Sequence, residues 1–217
     1  MKKEKIKIIL LYFFLITGGL WQILGFFTET MKILASPIII IISVLCFWES
    51  LEFQNSKSKF INWSVLVVTL SFLVEFVGVK SGLIFGIYNY GDVLKPQISN
   101  VPIAIGFAWL LMLLSSISVW QKLNEKLKIK NMFLISIFVS VLMVIFDFFM
   151  EPAAIKLNYW TWEAVSVPFQ NYLAWFLISY FFLILGFYFK IFEKEQPRFV
   201  FHTFFAQLIY FGMVILK

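Results

Sequence analysis

The chain has 217 residues, of which 61% are hydrophobic and 14% charged, and its mean hydropathy is +0.90. This composition is typical of an integral membrane protein. The net charge of +6 does not require a nucleic-acid partner, because membrane proteins carry lysine-rich cytoplasmic loops. A single cysteine, Cys46, excludes an intramolecular disulfide and a cysteine-based metal site, and a single histidine, His202, argues against a histidine-cluster metal centre.

Seven segments are long and apolar enough to be transmembrane helices, since a helix needs about 20 apolar residues to span a bilayer. They cover residues 6–27, 33–51, 62–79, 102–121, 131–150, 171–192 and 199–216. The first lacks a small-residue cleavage site, so we interpret it as a helix rather than a cleaved signal peptide. We therefore expect an all-α polytopic bundle, formed by one transmembrane domain over residues 1–217 and surrounded by membrane lipid.

The positive charges predict the orientation of this bundle. When the N-terminus is placed in the cytoplasm, 13 of the 18 Lys and Arg residues lie in the N-terminal segment and in the loops after the second, fourth and sixth spans. Cytoplasmic loops of membrane proteins carry an excess of these residues. We therefore expect a protein of the bacterial cytoplasmic membrane, with its N-terminus in the cytoplasm and its C-terminus outside.

Two long loops, residues 80–101 and 151–170, then lie on the outer side. The stretch "GLIFGIYNYGDVLKP" of the first loop is too polar to cross a bilayer and too apolar for an ordinary solvated loop. Irregular backbone at membrane depth must be buried in protein or line a cavity. We predict that both loops cap the outer end of the bundle, and that Gly82 and Gly86 let the first loop fold tightly.

Carboxyl groups inside the spans indicate where chemistry could take place, because ionisable residues in a membrane are costly. Glu75 and Asp147 each lie about one helical turn from the outer end of a span. Glu151 follows Asp147 by four residues and so shares its helix face. With Asp92 and Glu163 in the outer loops, we expect five carboxylates at one depth, and the first three are the candidate catalytic residues.

The chemistry that suits these residues begins with proton transfer. A carboxyl group withdrawn from water retains its proton more readily and can act as a general acid. Aromatic faces attract cations, and Tyr88, Tyr90, Trp160 and Trp162 supply them in the outer loops. The combination suits protonation of an electron-rich alkene to a tertiary carbocation, which water or an internal double bond then captures.

Two other interpretations start from the same acids. A membrane prenyltransferase would bind Mg-diphosphate with paired acidic motifs, and Asp147 and Glu151 resemble one such motif. It would need a second motif and basic residues, for which the outer side offers only scattered lysines. A transporter would use the acids as proton relays.

Two blocks of the sequence, "EFVGVKSGLIFGIYNYGDVLKPQISNVPIAIGFAW" and "DFFMEPAAIKLNYWTWEAVSVPFQNYLAW", together span about residues 75–175. They contain a set of Gly, Pro, aromatic and acidic positions: Glu75, Gly78, Gly82, Phe85, Gly86, Tyr88, Tyr90, Pro96, Pro102, Trp109, Asp147, Glu151, Pro152, Trp160, Trp162, Val167, Pro168, Asn171 and Trp175. At these positions the chain resembles the membrane carotenoid biosynthesis family of CruF-type carotenoid hydratases. The pattern departs at Ser166, where the family has a glycine.

The resemblance implies a cofactor-independent hydro-lyase with no metal. Its substrates would be water and an acyclic carotenoid, whose terminal double bond would be hydrated to a tertiary alcohol. A carotenoid cyclase that uses the same protonation is the alternative enzyme, and a lipid or carotenoid transporter is the non-enzymatic alternative.

The resemblance does not fix which acid has which role, so we assign the roles from the chemistry of the residues. Asp147 is our first choice for the proton donor, Glu75 is a second donor or the base that orients water, and Glu151 tunes or reprotonates Asp147. Asn171 is expected to bind water. The residues expected to contact the substrate are Tyr88, Tyr90, Phe85, Trp109, Trp160, Trp162, Asn171 and Trp175.

Overall fold

The structure, a computed structural model, describes residues 2–217, with side chains from residue 3 onward. Seven helices account for most of this part of the chain. They are α1 (Lys2–Leu24), α2 (Thr28–Glu52), α3 (Lys57–Ser81), α4 (Ala104–Leu127), α5 (Met132–Lys156), α6 (Phe169–Tyr188) and α7 (Arg198–Ile215). All seven are long and apolar enough to cross a membrane, so the predicted all-α membrane bundle is confirmed.

Helix α4 forms the centre of the bundle. In its most apolar stretch 83% of the residues are buried inside the protein, against 28–33% in the other six helices. Helices α2, α3, α5 and α7 pack around it, α6 packs against α5, and α1 covers α7 on the outside. The buried serines Ser115, Ser116 and Ser118 of α4 permit this close packing, because small residues let neighbouring helices approach.

The predicted boundary of the second long loop is wrong. Helix α5 continues through Pro152 to Lys156, so the loop begins at residue 157 rather than 151. A proline removes one helical hydrogen bond and often ends a helix. Here Ala153 and Ala154 are completely buried, and their packing holds the last turn in place. Glu151 is therefore a helical residue.

Four short strands form in the two long loops. They are β1 (Tyr88–Tyr90), β2 (Gln97–Ile98), β3 (Val101–Pro102) and β4 (Trp160–Trp162). Strands β2 and β3 pair with each other, whereas β1 pairs antiparallel with β4. The β1–β4 ribbon thus joins the two loops, and its register places Tyr88 opposite Trp162 and Tyr90 opposite Trp160.

Gly106, near the start of α4, permits close contact with α3. A Cβ atom at this position would lie 2.4 Å from the carbonyl oxygen of Val68. We expect Gly106→Ala to destabilise the protein by roughly 1–3 kcal/mol, the usual cost of overpacking, and to lower its melting temperature in detergent. Gly212→Ala in α7 is the matched control, because no atom lies within 4 Å of its added Cβ. Equal melting temperatures for the two variants would contradict the contact.

The proposed orientation can be tested by cysteine labelling. Lys128 follows α4 and Glu163 follows β4, and both are exposed at opposite ends of the bundle. In a Cys46→Ser background, we expect single cysteines near Lys128 to be labelled from the cytoplasm and those near Glu163 from outside, since the charge distribution favours this orientation. The reverse labelling pattern would overturn it.

Candidate functional site

A cavity of about 80 Å³ lies beneath the β1–β4 ribbon. Since one water molecule needs roughly 10–15 Å³, the cavity has room for several. Every residue predicted to form the site lines this cavity: Glu75, Phe85, Tyr88, Tyr90, Trp109, Asp147, Glu151, Trp160, Trp162, Asn171 and Trp175. The structure therefore brings together residues from α3, α4, α5, α6 and both strands of the ribbon.

The carboxylate of Glu75 accepts three hydrogen bonds. The hydroxyls of Tyr88 and Tyr90 donate to its Oε2 atom, at 2.5 and 2.9 Å. The indole Nε1 of Trp109 donates to its Oε1 atom at 3.0 Å. The Trp109 ring also stacks on Trp175, with centroids 4.3 Å apart, which fixes the direction of this indole N–H.

The two tyrosines act as donors in these bonds. Burial and the neighbouring Glu75 carboxylate raise the pKa of Tyr88 and that of Tyr90 well above the ordinary value of a phenol. Each phenol therefore keeps its proton and can point it at Glu75.

Glu151 is held in a similar way by the other strand of the ribbon. The indole Nε1 atoms of Trp160 and Trp162 both donate to its Oε2 atom, each at 3.0 Å. Tyr88 and Tyr90 of strand β1 thus bind Glu75, whereas the tryptophans of strand β4 bind Glu151. The cross-strand pairs of the ribbon place these two sets of donors side by side.

Asp147 has fewer partners than the other two acids. Its Oδ2 atom accepts one hydrogen bond, from the Nδ2 atom of Asn171 at 2.7 Å. Its Oδ1 atom is buried and has no hydrogen-bond partner among the described residues. Asn171, which was expected to bind water, therefore has its amide directed at Asp147.

The structure brings together only three of the five carboxylates expected at one depth. Asp92 is exposed and pairs with Lys95 at 3.2 Å on the surface. Glu163 is also exposed, and its backbone N–H donates to the carbonyl oxygen of Ile87. Asp92 lies beyond the end of β1 and Glu163 beyond the end of β4, and both side chains are exposed at the surface rather than lining the cavity.

Several lining residues were not predicted from the sequence. They include Ile39, Leu94, Ile105, Ala108, Leu111, Met112, Phe146, Met150, Tyr159, Gln207 and Phe211. Some could have been inferred from helical periodicity, since Phe146 and Met150 share the face of α5 that carries Asp147 and Glu151. Gln207 is a polar residue within an apolar helix, which is also a recognisable signal.

The cavity holds carboxyl oxygens, phenol and indole donors and an amide, within mostly apolar walls. Among residues 2–217, no three His, Cys, Asp or Glu side chains are grouped so as to hold a metal ion.

Comparisons with known proteins show similarity to a protein family and to an individual relative. A family model described as "carotenoid biosynthesis protein" matches residues 27–217. A bisanhydrobacterioruberin hydratase from Haloarcula japonica is 30% identical over 118 residues, which make up 52% of this chain and 40% of that protein. The match therefore covers less than half of this relative's length. No solved structure matches the chain.

Proposed function

Because the chain belongs to the family of carotenoid biosynthesis proteins, we propose that it hydrates the terminal double bond of an acyclic carotenoid end group. The product would be a tertiary alcohol, and the enzyme would be a hydro-lyase of the carotenoid 1,2-hydratase type that needs no cofactor. The name of the Haloarcula japonica relative, a hydratase, supports this class of reaction.

The observation that carries the proposal is the convergence of Glu75, Asp147 and Glu151 in one aromatic cavity. Hydration of an isolated alkene requires a strong proton donor, a place for a tertiary carbocation and a water molecule. A buried carboxyl group can supply the proton, and the faces of the surrounding rings stabilise a cation. The same cavity has room for water.

The reaction would proceed in two steps. A carboxyl group first protonates the terminal alkene, and the positive charge settles on the more substituted carbon. Water then adds to this carbon, and a carboxylate takes up the released proton. Negative charges held close to the cation lower the barrier, because fixed charges are most effective where water is largely excluded.

The origin of the new hydroxyl group tests the proposal. We expect purified protein in detergent to convert the acyclic carotenoid under strict anaerobiosis. In water labelled with heavy oxygen, the product hydroxyl should carry the label, and in deuterium oxide one deuterium should appear on the neighbouring carbon. Both labels follow from protonation of the alkene before water adds.

Three outcomes of this experiment would contradict the hydratase. Oxygen derived from molecular oxygen, or a requirement for a reductant, would identify a hydroxylase. A ring-closed product with deuterium but no hydroxyl group would identify a cyclase. Binding of the carotenoid without turnover would favour a transporter.

A further inference from the structure

The three acids of the cavity differ in how many N–H and O–H groups donate to them. Glu75 accepts three such bonds, Glu151 accepts two and Asp147 accepts one. Hydrogen bonds to a carboxylate favour its ionised form. By this criterion, Asp147 should hold a proton most readily, Glu151 less readily and Glu75 least readily.

Glu75 has both oxygens engaged. Two phenols occupy Oε2 and an indole occupies Oε1. An indole N–H can only donate, so at least the bond from Trp109 requires an acceptor oxygen on Glu75. Of the three acids, Glu75 therefore has the ionised form that is best stabilised by hydrogen bonds, and both its oxygens are poorly placed to give or take a proton during turnover.

The two carboxyl oxygens of Glu151 differ in their hydrogen bonds. Its Oε2 atom accepts two indole N–H groups, neither of which can act as an acceptor. These bonds favour the ionised form. In the part of the chain that the structure describes, its Oε1 atom makes no hydrogen bond, so this oxygen is free to accept a proton inside the cavity.

Asp147, in contrast, favours its protonated form. It is completely buried, and its Oδ1 atom has no partner among the described residues. A buried anionic oxygen without a partner costs considerable free energy, whereas a protonated oxygen can donate to an alkene or to water. Asp147 is therefore the acid that best retains a transferable proton.

We propose that Asp147 is the general acid, Glu151 the general base and Glu75 a fixed anion that stabilises the carbocation; this assignment rests on the hydration proposed above. The O–H bond of Asp147 breaks as its proton forms a C–H bond with the terminal alkene carbon, leaving a tertiary cation and the Asp147 carboxylate. The oxygen of water bonds to the cation, and one water proton passes to Oε1 of Glu151.

The cycle closes between the two residues on α5. Glu151 lies four residues after Asp147, about one helical turn along the same face, so its proton can return to Asp147 through the cavity. Asp147 is then protonated and Glu151 ionised again, and the net change is the addition of one water molecule to the alkene. No proton passes through Glu75.

Deuterium exchange separates the acid from the base. In deuterium oxide, we expect Glu151→Gln to form the cation without capturing water efficiently, so that the cation reverts to alkene by returning a proton to Asp147. The recovered substrate should carry deuterium while hydration falls at least ~10²-fold, as for loss of a general base. Asp147→Asn should show neither deuterium uptake nor hydration, and Glu75→Gln should lower both together.

Two further variants serve as comparisons. Glu151→Asp keeps a carboxylate and should recover part of the lost hydration, which a merely structural defect would not predict. Glu163→Gln removes an exposed acid outside the cavity and should behave as the unchanged protein.

The outcomes distinguish the two proposals. Deuterium uptake by Asp147→Asn would overturn Asp147 as the acid. Full hydration by Glu151→Gln, or a parallel loss of hydration and uptake in both Glu151 variants, would overturn Glu151 as the base. If the unchanged protein neither hydrates the carotenoid nor introduces deuterium into it, the hydration itself is refuted.

Discussion

Replacing Asp147 by Asn or Glu75 by Gln should lower carotenoid turnover by at least ~10²-fold. The first variant loses the transferable proton of a general acid, which typically contributes this factor or more. The second loses a negative charge held beside the developing cation, and the loss of one such stabilising group has an effect of similar size. The measurement is the rate of product formation by purified protein, resolved by chromatography.

The control for these variants is Asp92→Asn, which makes the same change from carboxylate to amide on an exposed side chain. It should leave turnover unchanged. The melting temperature and the absorbance of bound carotenoid show whether each variant is folded and still binds its ligand. Near-normal turnover in a folded Asp147→Asn or Glu75→Gln protein would remove that residue from the mechanism.

The helices were predictable because lipid imposes a simple condition on the sequence. Every backbone group in the bilayer must be satisfied within its own segment, so an apolar run of sufficient length forms a helix. Their ends were less predictable, because tertiary packing decides how far each helix extends. Ile191 and Phe192 illustrate this: both are apolar and were assigned to the sixth span, yet α6 ends at Tyr188 and they fold back into the core.

The β1–β4 ribbon could not be predicted from the sequence alone. Both strands alternate aromatic and polar residues, as Tyr88–Asn89–Tyr90 and Trp160–Thr161–Trp162, and this alternation is typical of a strand with one buried face. Three residues are too few to distinguish a strand from a loop. The partner strands also lie far apart in the chain, and they meet because α3 and α5 both pack against α4.

Residue types at the site were predictable, whereas their hydrogen-bond partners were not. Carboxyl groups within apolar spans identify the cavity, because ionisable residues are rare in transmembrane segments. The choice of partner depends on distances between separate helices. Asn171 illustrates the difference, since α6 packs against α5 and directs the side-chain NH2 group of Asn171 at Asp147.

A second large loss of turnover is expected from a substitution at Gly91, a residue of the β1–β4 ribbon region that has no side chain in the cavity. Gly91 directly follows strand β1, and its N–H donates to the carbonyl oxygen of Tyr159 at 2.9 Å. A Cβ atom on Gly91 would lie 2.2 Å from the carbonyl oxygen of Asn158. Because the carbonyl group of Asn158 already occupies that space, the added methyl group of Gly91→Ala must push β1 and the segment before β4 apart.

We expect Gly91→Ala to lower turnover by about 10²-fold, because a displacement of ~1 Å at a catalytic site can cost that much. The displaced strands carry the donors of both Glu75 and Glu151, so two acids lose their hydrogen-bond geometry at once. The melting temperature should also fall, as for overpacking at Gly106, so turnover is compared at a temperature where the variant is folded. Asn89→Ala is the matched control: Asn89 is exposed at the centre of the same strand, and its truncation should leave turnover unchanged. Normal turnover by Gly91→Ala would show that the β1–β4 ribbon does not position the acids.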